Sequence, residues 1–257
     1  MKNIIIITGA SSGFGQLFAM ELDNKLKSID EYWLIARNTD KMLETSKVMK
    51  TPCRIMSLDL SKRENIKEIV KTVERFSDDC DDDVRIKMLV NCAGYGKIGA
   101  FPTIDDEDVT GMIDVNITAL TYLTKALIPY MGKNSRIVNV ASAAAFLPQP
   151  YFAEYAATKS YVLSFSRALN VELKAKQIYV TAVCPGPADT NFFAVAETTG
   201  SVAWFKKYFL ANPQKVVRKA INDTMKKNEV SVYSCSMNLL RFLTKIIPHR
   251  IILKFYK

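Results

Sequence analysis

Ile4–Ile7 is an unbroken apolar run that leads directly into a glycine-rich turn, T-G-A-S-S-G-F-G at Thr8–Gly15. A strand that is apolar at every position, not at alternate ones, is buried on both faces, so helices must cover a parallel sheet above and below. The same demand recurs along the chain. Strands are predicted at Asn3–Ile7, Tyr32–Ala36, Arg54–Leu58, Ile86–Val90, Arg136–Val140 and Tyr179–Val183. Helical spacing fits Phe14–Leu26, Asp40–Met49, Glu64–Phe76 and Ala153–Lys174, and Asp105–Met131 holds one or two more helices. Acidic Asp78–Asp83 reads as a solvated connection. This alternation predicts the α/β class, a doubly wound parallel sheet in a single domain. The domain spans residues 1–236, and residues 237–257 add a basic amphipathic segment to it.

The glycine-rich turn has a chemical use. Glycines allow a tight bend and close backbone approach, and the helix that follows presents free N–H groups to a pyrophosphate. Strand, turn and helix in this order predict dinucleotide binding by Gly9, Ser11, Ser12, Gly13, Phe14 and Gly15. The end of the second strand selects the dinucleotide. A carboxylate there accepts from the ribose 2′-hydroxyl of NAD, whereas a cation accommodates the 2′-phosphate of NADP. The chain reads L-I-A-R-N, with Arg37 at that end and no acid before Asp40. Arginine's planar fork suits a phosphate, so NADP(H) is expected over NAD.

Tyr155 and Lys159, in Y-A-A-T-K, follow Ser142 by a short interval. A phenol with a pKa near ~10 is a poor acid or base at neutral pH unless its anion is stabilised. Lysine one helical turn away lies on the same face and is placed to do so. Serine can hold a substrate oxygen beside the phenol. On its own Y-x-x-x-K is a weak signal.

Taken together, these residues resemble the short-chain dehydrogenase/reductase family. The resemblance rests on Thr8–Gly15, Asp59-Leu60, N-C-A-G at Asn91–Gly94, Asn116 in V-N-I-T, Ser142, Tyr155 with Lys159, and P-G-P-A-D-T at Pro185–Thr190. It covers roughly residues 3–195 and implies a Rossmann-type sheet that transfers hydride between nicotinamide and a carbonyl or alcohol. By resemblance, Asn116, Ser142, Tyr155 and Lys159 are the catalytic set. Tyr155 moves the proton, Lys159 lowers its pKa and holds the nicotinamide ribose, and Asn116 positions a water relay. Asp59 and Leu60 flank the adenine, and Asn91, Ala93 and Gly94 line the middle of the cofactor. Pro185, Gly186 and Thr190 meet the carboxamide. Dimers or tetramers are implied as well. Cys92 stands where the family commonly has a second asparagine, and reads as a small packing residue.

Other features bound the partners. Five scattered cysteines without a C-x-x-C pair, and a single histidine, predict neither a disulfide framework nor a metal site. No apolar run spans a bilayer and no signal peptide is recognisable, which leads us to expect a cytoplasmic protein. Residues 1–195 hold 23 Lys+Arg and 23 Asp+Glu, whereas residues 196–257 hold 12 and 3, so the whole net charge of +9 lies in the last quarter. Its anionic partner is a substrate, a carrier or a membrane surface; no nucleic-acid motif accompanies it. Ala143–Phe152 and Phe192–Leu210 are rich in aromatics, and the stretch around 187–211 reads as a substrate-covering segment. Both favour a hydrophobic ketone or secondary alcohol such as a steroid, bile acid or long-chain oxo compound. Packing of these aromatics on each other is the alternative. In Met237–Lys257 a stripe of Arg241, Lys245 and His249 is suited to an anionic membrane, to a lid on the substrate channel or to docking on the body. Rival functions are a 3-oxoacyl-thioester reductase and a non-catalytic dinucleotide sensor.

Overall fold

The strands are buried as their composition requires. The computed structural model describes residues 2–78, 84–190, 192, 196 and 210–254. Seven parallel strands lie in the order β3-β2-β1-β4-β5-β6-β7. They are β1 (Lys2–Thr8), β2 (Glu31–Ala36), β3 (Cys53–Ser57), β4 (Val84–Asn91), β5 (Arg136–Val140), β6 (Tyr179–Val183) and β7 (Val230–Ser231). Between and after them run α1 (Gly13–Lys25), α2 (Thr39–Lys47), α3 (Arg63–Asp78), α4 (Asp106–Ile113), α5 (Leu120–Leu127), α6 (Ala153–Glu172), α7 (Pro213–Met225), α8 (Cys235–Ile246) and α9 (His249–Leu253).

Side chains alternate across the sheet, and both faces are dry. On one face Ile4, Ile6, Trp33 and Ile35 meet Ile66, Ile69 and Val73 of α3, Leu123 and Leu127 of α5, and Leu169 of α6. On the other, Ile5, Ile7, Tyr32 and Leu34 meet Phe18 and Leu22 of α1, Met42 of α2, and Val217 and Ile221 of α7. Each such buried side chain stabilises the fold by about 1.5–3 kcal/mol relative to exposure. The sheet therefore admits no register slip, which would carry every side chain to the opposite face.

Three helix starts are capped by a side-chain amide or hydroxyl. Asn38 accepts from Lys41 N, Asn212 from Lys215 N, and Ser234 from Met237 N. The predicted Asp105–Met131 stretch resolves into α4 and α5, joined by a π-helical segment over Asp114–Ala119. Such wide turns insert into helices chiefly at functional sites. Two elements extend the alternation beyond what the pattern announced. α7 covers the second face, tied to α1 by Arg218 and Gln214 on Glu21. β7 has only two residues, too few for any periodicity. Asp78 ends α3, and the remainder of the acidic connection lies outside the described residues.

Strand order reverses at β1: β2 and β3 lie to one side, β4 to β7 to the other. A crevice opens at such a point, outside the carboxyl ends of the strands. Most of the predicted site residues lie on loops and helix starts at that end, with Asn91 closing β4 and Asn116 in the π-helical segment.

Candidate active site

The turn after β1 is held too tightly for side chains. Gly9 has φ +67°, and a Cβ on it would come within 2.9 Å of Ala93 Cα and N. A Cβ on Gly15 would come within 2.2 Å of Gly9 O, so the start of α1 is pressed on its own turn. Thr8 Oγ1 accepts from Cys92 N at 3.0 Å and Ala93 N at 3.1 Å, clamping the end of β1 to the end of β4. Ser12 caps α1 without a side-chain hydrogen bond. The first N–H groups of α1 are thus left for a ligand, and a pyrophosphate fits that cradle. Thr190 reaches the same turn from the far end of the motif, its Cβ 3.7 Å from where a Gly13 Cβ would sit. Phe14 turns inward and packs with the α1 face of the core.

Farther along the crevice, Arg37 is exposed at the end of β2. Burial works to raise the Asp59 carboxyl, but hydrogen bonds from Ser61 N and Oγ, with Arg37 and Lys62 nearby, hold it below its ordinary value. Leu60 and Ala93 line one small cavity with Thr8, Asn91 and Val115. The Asn91 side chain, however, belongs to the interior. Its Nδ2 donates to Thr124 Oγ1 at 2.9 Å and Asn139 Oδ1 at 2.8 Å, and Asn139 donates on to Ser166. This chain of amides ties β4 to β5, α5 and α6, while the buried Asn91 Oδ1 has no hydrogen-bond partner among the described residues.

Ser142, Tyr155, Lys159 and Asn116 converge at the next station. Ser142 ends the β5 loop and accepts from Ala144 N at 3.1 Å, while Ala143 N donates to Pro185 O at 2.8 Å. Tyr155 and Lys159 lie one turn apart on α6 and are both buried. The π-helical segment buries Asn116, whose amide brackets Tyr95: Oδ1 accepts from Tyr95 N and Nδ2 donates to Tyr95 O at 2.8 Å. Nδ2 also donates to Thr158 Oγ1 at 3.1 Å, and Thr158 Oγ1 donates to Tyr155 O at 2.8 Å. Gly94 is the meeting point, since a Cβ there would lie 2.7 Å from Asn116 Oδ1 and 3.2 Å from Lys159 Nζ.

Lys159 Nζ donates to Val140 O at 2.9 Å and stands 5.6 Å from the centre of the Tyr155 ring. Burial pushes the phenol well above its ordinary value, and a hydrogen bond with Ser142 acts the other way. Burial also brings Lys159 down to about 8. Lysine in an unfolded chain titrates near ~10.4. Between those values the unfolded chain holds the proton that the folded chain has lost, so stability rises with pH through this window. Below pH ~8 the full cost of a desolvated ammonium is present. Lys159→Met is therefore expected to melt higher than the wild type at pH 7, with the gain shrinking as pH rises toward ~10. Paired thermal unfolding at the two pH values checks this.

Aromatic rings from the two stretches expected to border the site cover the phenol. Phe152 stacks on Tyr155 with centroids 4.3 Å apart, and Phe192 tilts against it at 5.2 Å. A Cβ on Gly96 would strike Tyr155 Cδ2 at 2.6 Å. Tyr95 completes the cluster with Met112 and Ala156. Its place directly after N-C-A-G was the available signal. Of Phe192–Leu210, only Phe192, Ala196 and Leu210 are described; Phe193, Trp204, Phe205, Tyr208 and Phe209, with most of the expected covering segment, lie outside the described residues. The four cysteines described are free, and no metal-binding cluster occurs among the described residues.

Known proteins share this architecture. An oxidoreductase of uncharacterised function from Staphylococcus epidermidis is 32% identical over 191 residues, 74% of this chain and 79% of the relative. Estradiol 17-beta-dehydrogenase 11 from Macaca fascicularis is 30% identical over 253 residues, 96% of this chain and 80% of the relative. Among solved structures, a short-chain dehydrogenase from Sphingobium yanoikuyae in complex with NADPH aligns with a TM-score of 0.77 at 24% identity, covering 95% of this chain and 96% of that one. One from Burkholderia phymatum in complex with NAD aligns at 0.80 and 18%, covering 94% and 92%. A family model described as short chain dehydrogenase matches residues 3–200, and with that match the chain belongs to the short-chain dehydrogenases, oxidoreductases of alcohol and carbonyl groups.

Proposed function

We propose that this chain reduces hydrophobic ketones with NADPH, Tyr155 giving the proton. The observation that carries the reading is the buried Tyr155 phenol, packed between Phe152 and Phe192 and beside Ser142. The phenol carries its proton at neutral pH, and its place beside Ser142 puts that proton within reach of a developing alkoxide. Ser142 orients the substrate oxygen toward that phenol. Lys159, anchored on Val140 O, holds its ammonium beside Gly94, where the nicotinamide ribose would lie. Asn116, through Thr158, positions the helix turn that carries Tyr155. When bound, the nicotinamide supplies the hydride; the protein supplies orientation and the proton.

Aromatic walls select an apolar substrate. A relative named for estradiol, aligned over 96% of this chain, supports that class. Arg37 supports the choice of NADPH. It lies exposed just past the end of β2, near enough to act on the Asp59 carboxyl, and the sequence after that strand has no acid before Asp40. The test is oxidation of NADPH and NADH by purified protein against keto-steroids, oxo-bile acids, long-chain ketones and 3-oxoacyl thioesters. Turnover of the apolar ketones is expected, with NADPH preferred. Arg37→Ala is expected to raise KM for NADPH about tenfold or more and to leave NADH unchanged, the worth of one charge-assisted phosphate contact. Equal use of both cofactors by the wild type, or turnover of the thioesters alone, would overturn the corresponding half of the reading.

A further inference from the structure

The described residues expose fifteen large hydrophobic side chains, and five of them fall within residues 239–251: Leu239, Phe242, Leu243, Ile246 and Ile251. Single exposed apolar residues scattered over a surface mean little, but a cluster does not arise by chance on a soluble face. Four of these have the i, i+3, i+4, i+7 spacing that makes one stripe along a helix. Leu239, Phe242 and Ile246 are 57%, 59% and 62% exposed. α8 is not short of inward contacts that a shift would recover. Its other side already buries Thr244 and packs Met237 and Leu240 on the body. The stripe is thus surplus to folding.

Charge identifies what covers it. From Val230 to the end the chain has no Asp or Glu, and Arg241, Lys245, Arg250 and Lys254 accompany the stripe and the short helix after it. A second copy docked here would bring these cations against their own counterparts, which is unfavourable. An anionic lipid surface complements both features, since it takes apolar side chains at the acyl boundary and cations at the headgroups. No helix among the described residues is long and apolar enough to cross a membrane. We propose that α8 and α9 seat the enzyme on an anionic membrane surface, with Leu239, Phe242, Leu243 and Ile246 inserted and Lys245, Arg250 and Lys254 at the headgroups.

Pro248 breaks the helix, so the basic stripe expected from a four-residue repeat does not form. Arg241 is only partly exposed, and His249 turns back to bond Thr244 O at 3.2 Å. The surface that does form is apolar at its centre and cationic at its margin. It also adjoins the candidate site: Met237 Cγ and Sδ lie 2.9 Å from where a Gly186 Cβ would be, and α8 packs on the Ala143–Phe146 turn beside Ser142. If the reading as a reductase of apolar ketones holds, docking brings the mouth of the site to the phase in which such ketones dissolve.

Vesicle flotation of the full chain, with phosphatidylcholine alone and with added phosphatidylserine, tests the proposal without any assay of turnover. Binding is expected only to the serine-containing vesicles and is expected to weaken with salt. Leu239→Ser/Phe242→Ser/Ile246→Ser and, separately, Lys245→Glu/Arg250→Glu are each expected to weaken it about tenfold or more. Nicotinamide-nucleotide binding and melting temperature should stay unchanged, because these side chains are exposed. Absence of binding to serine-containing vesicles, or equal binding by both variants, would sink the proposal. So would a wild-type oligomer in light scattering that the triple variant dissociates while vesicles remain unbound; that result assigns the stripe to a second copy.

Discussion

Tyr155→Phe is expected to lower kcat/KM for ketone reduction about 1,000-fold while leaving nucleotide affinity within about twofold of wild type. The variant removes one oxygen and leaves a ring of the same shape. Phe152 stacked at 4.3 Å and Phe192 tilted at 5.2 Å pack on that ring and remain in the variant. The phenol oxygen is buried and raised in pKa, so no bulk water replaces the lost proton donor. Stopped turnover with intact binding is the signature of a residue that acts in proton transfer. Nucleotide titration by fluorescence, run beside NADPH oxidation, measures both. A variant that keeps full activity would remove Tyr155 from the chemistry and reopen the rival of a fold kept for dinucleotide sensing.

Gly15→Ala is expected to reverse that pattern: nucleotide affinity lost by about 100-fold or more, and a lower melting temperature. An added Cβ would sit 2.2 Å from Gly9 O and 2.6 Å from Gly9 C, both backbone atoms that no rotamer can move. Relief requires α1 to withdraw from the turn. That withdrawal takes the free N–H groups at its start away from the pyrophosphate and strains Gly9, itself fixed against Ala93. Overpacking of this kind costs about 1–3 kcal/mol in stability. Isothermal titration with NADPH and NADH and a thermal melt check the two effects. Unchanged affinity would mean that the turn is ordinary packing between strand and helix.

Much of this was legible beforehand. Ile4–Ile7 announced a strand dry on both faces, and Ile4 and Ile6 do face α3 while Ile5 and Ile7 face α1. β5 and β6 fall where their apolar runs begin and end. Tyr155 and Lys159, four residues apart, had to share a helix face. Gly9 and Gly15 were named from the motif, and both prove sterically locked. The aromatic stretches 143–152 and 192–210 were marked as walls of the site, and Phe152 and Phe192 stand against the tyrosine.

What local pattern left open has a common cause. The Asn91 amide nitrogen bonds Thr124 and Asn139, residues far along the chain. Lys159 bonds Val140 O, the end of a strand brought in by the sheet. In the tail, α8 is apolar on both sides of its axis, so helical spacing cannot say which side turns inward. Local pattern determines which segments are strands and helices, which strands are buried on both faces, and where glycine is required, because those properties depend on neighbours within a few residues. Only the tertiary structure decides which partner takes a polar group and which apolar stripe is left to solvent. Those outcomes are set by competition among distant segments for the same space and the same hydrogen bonds.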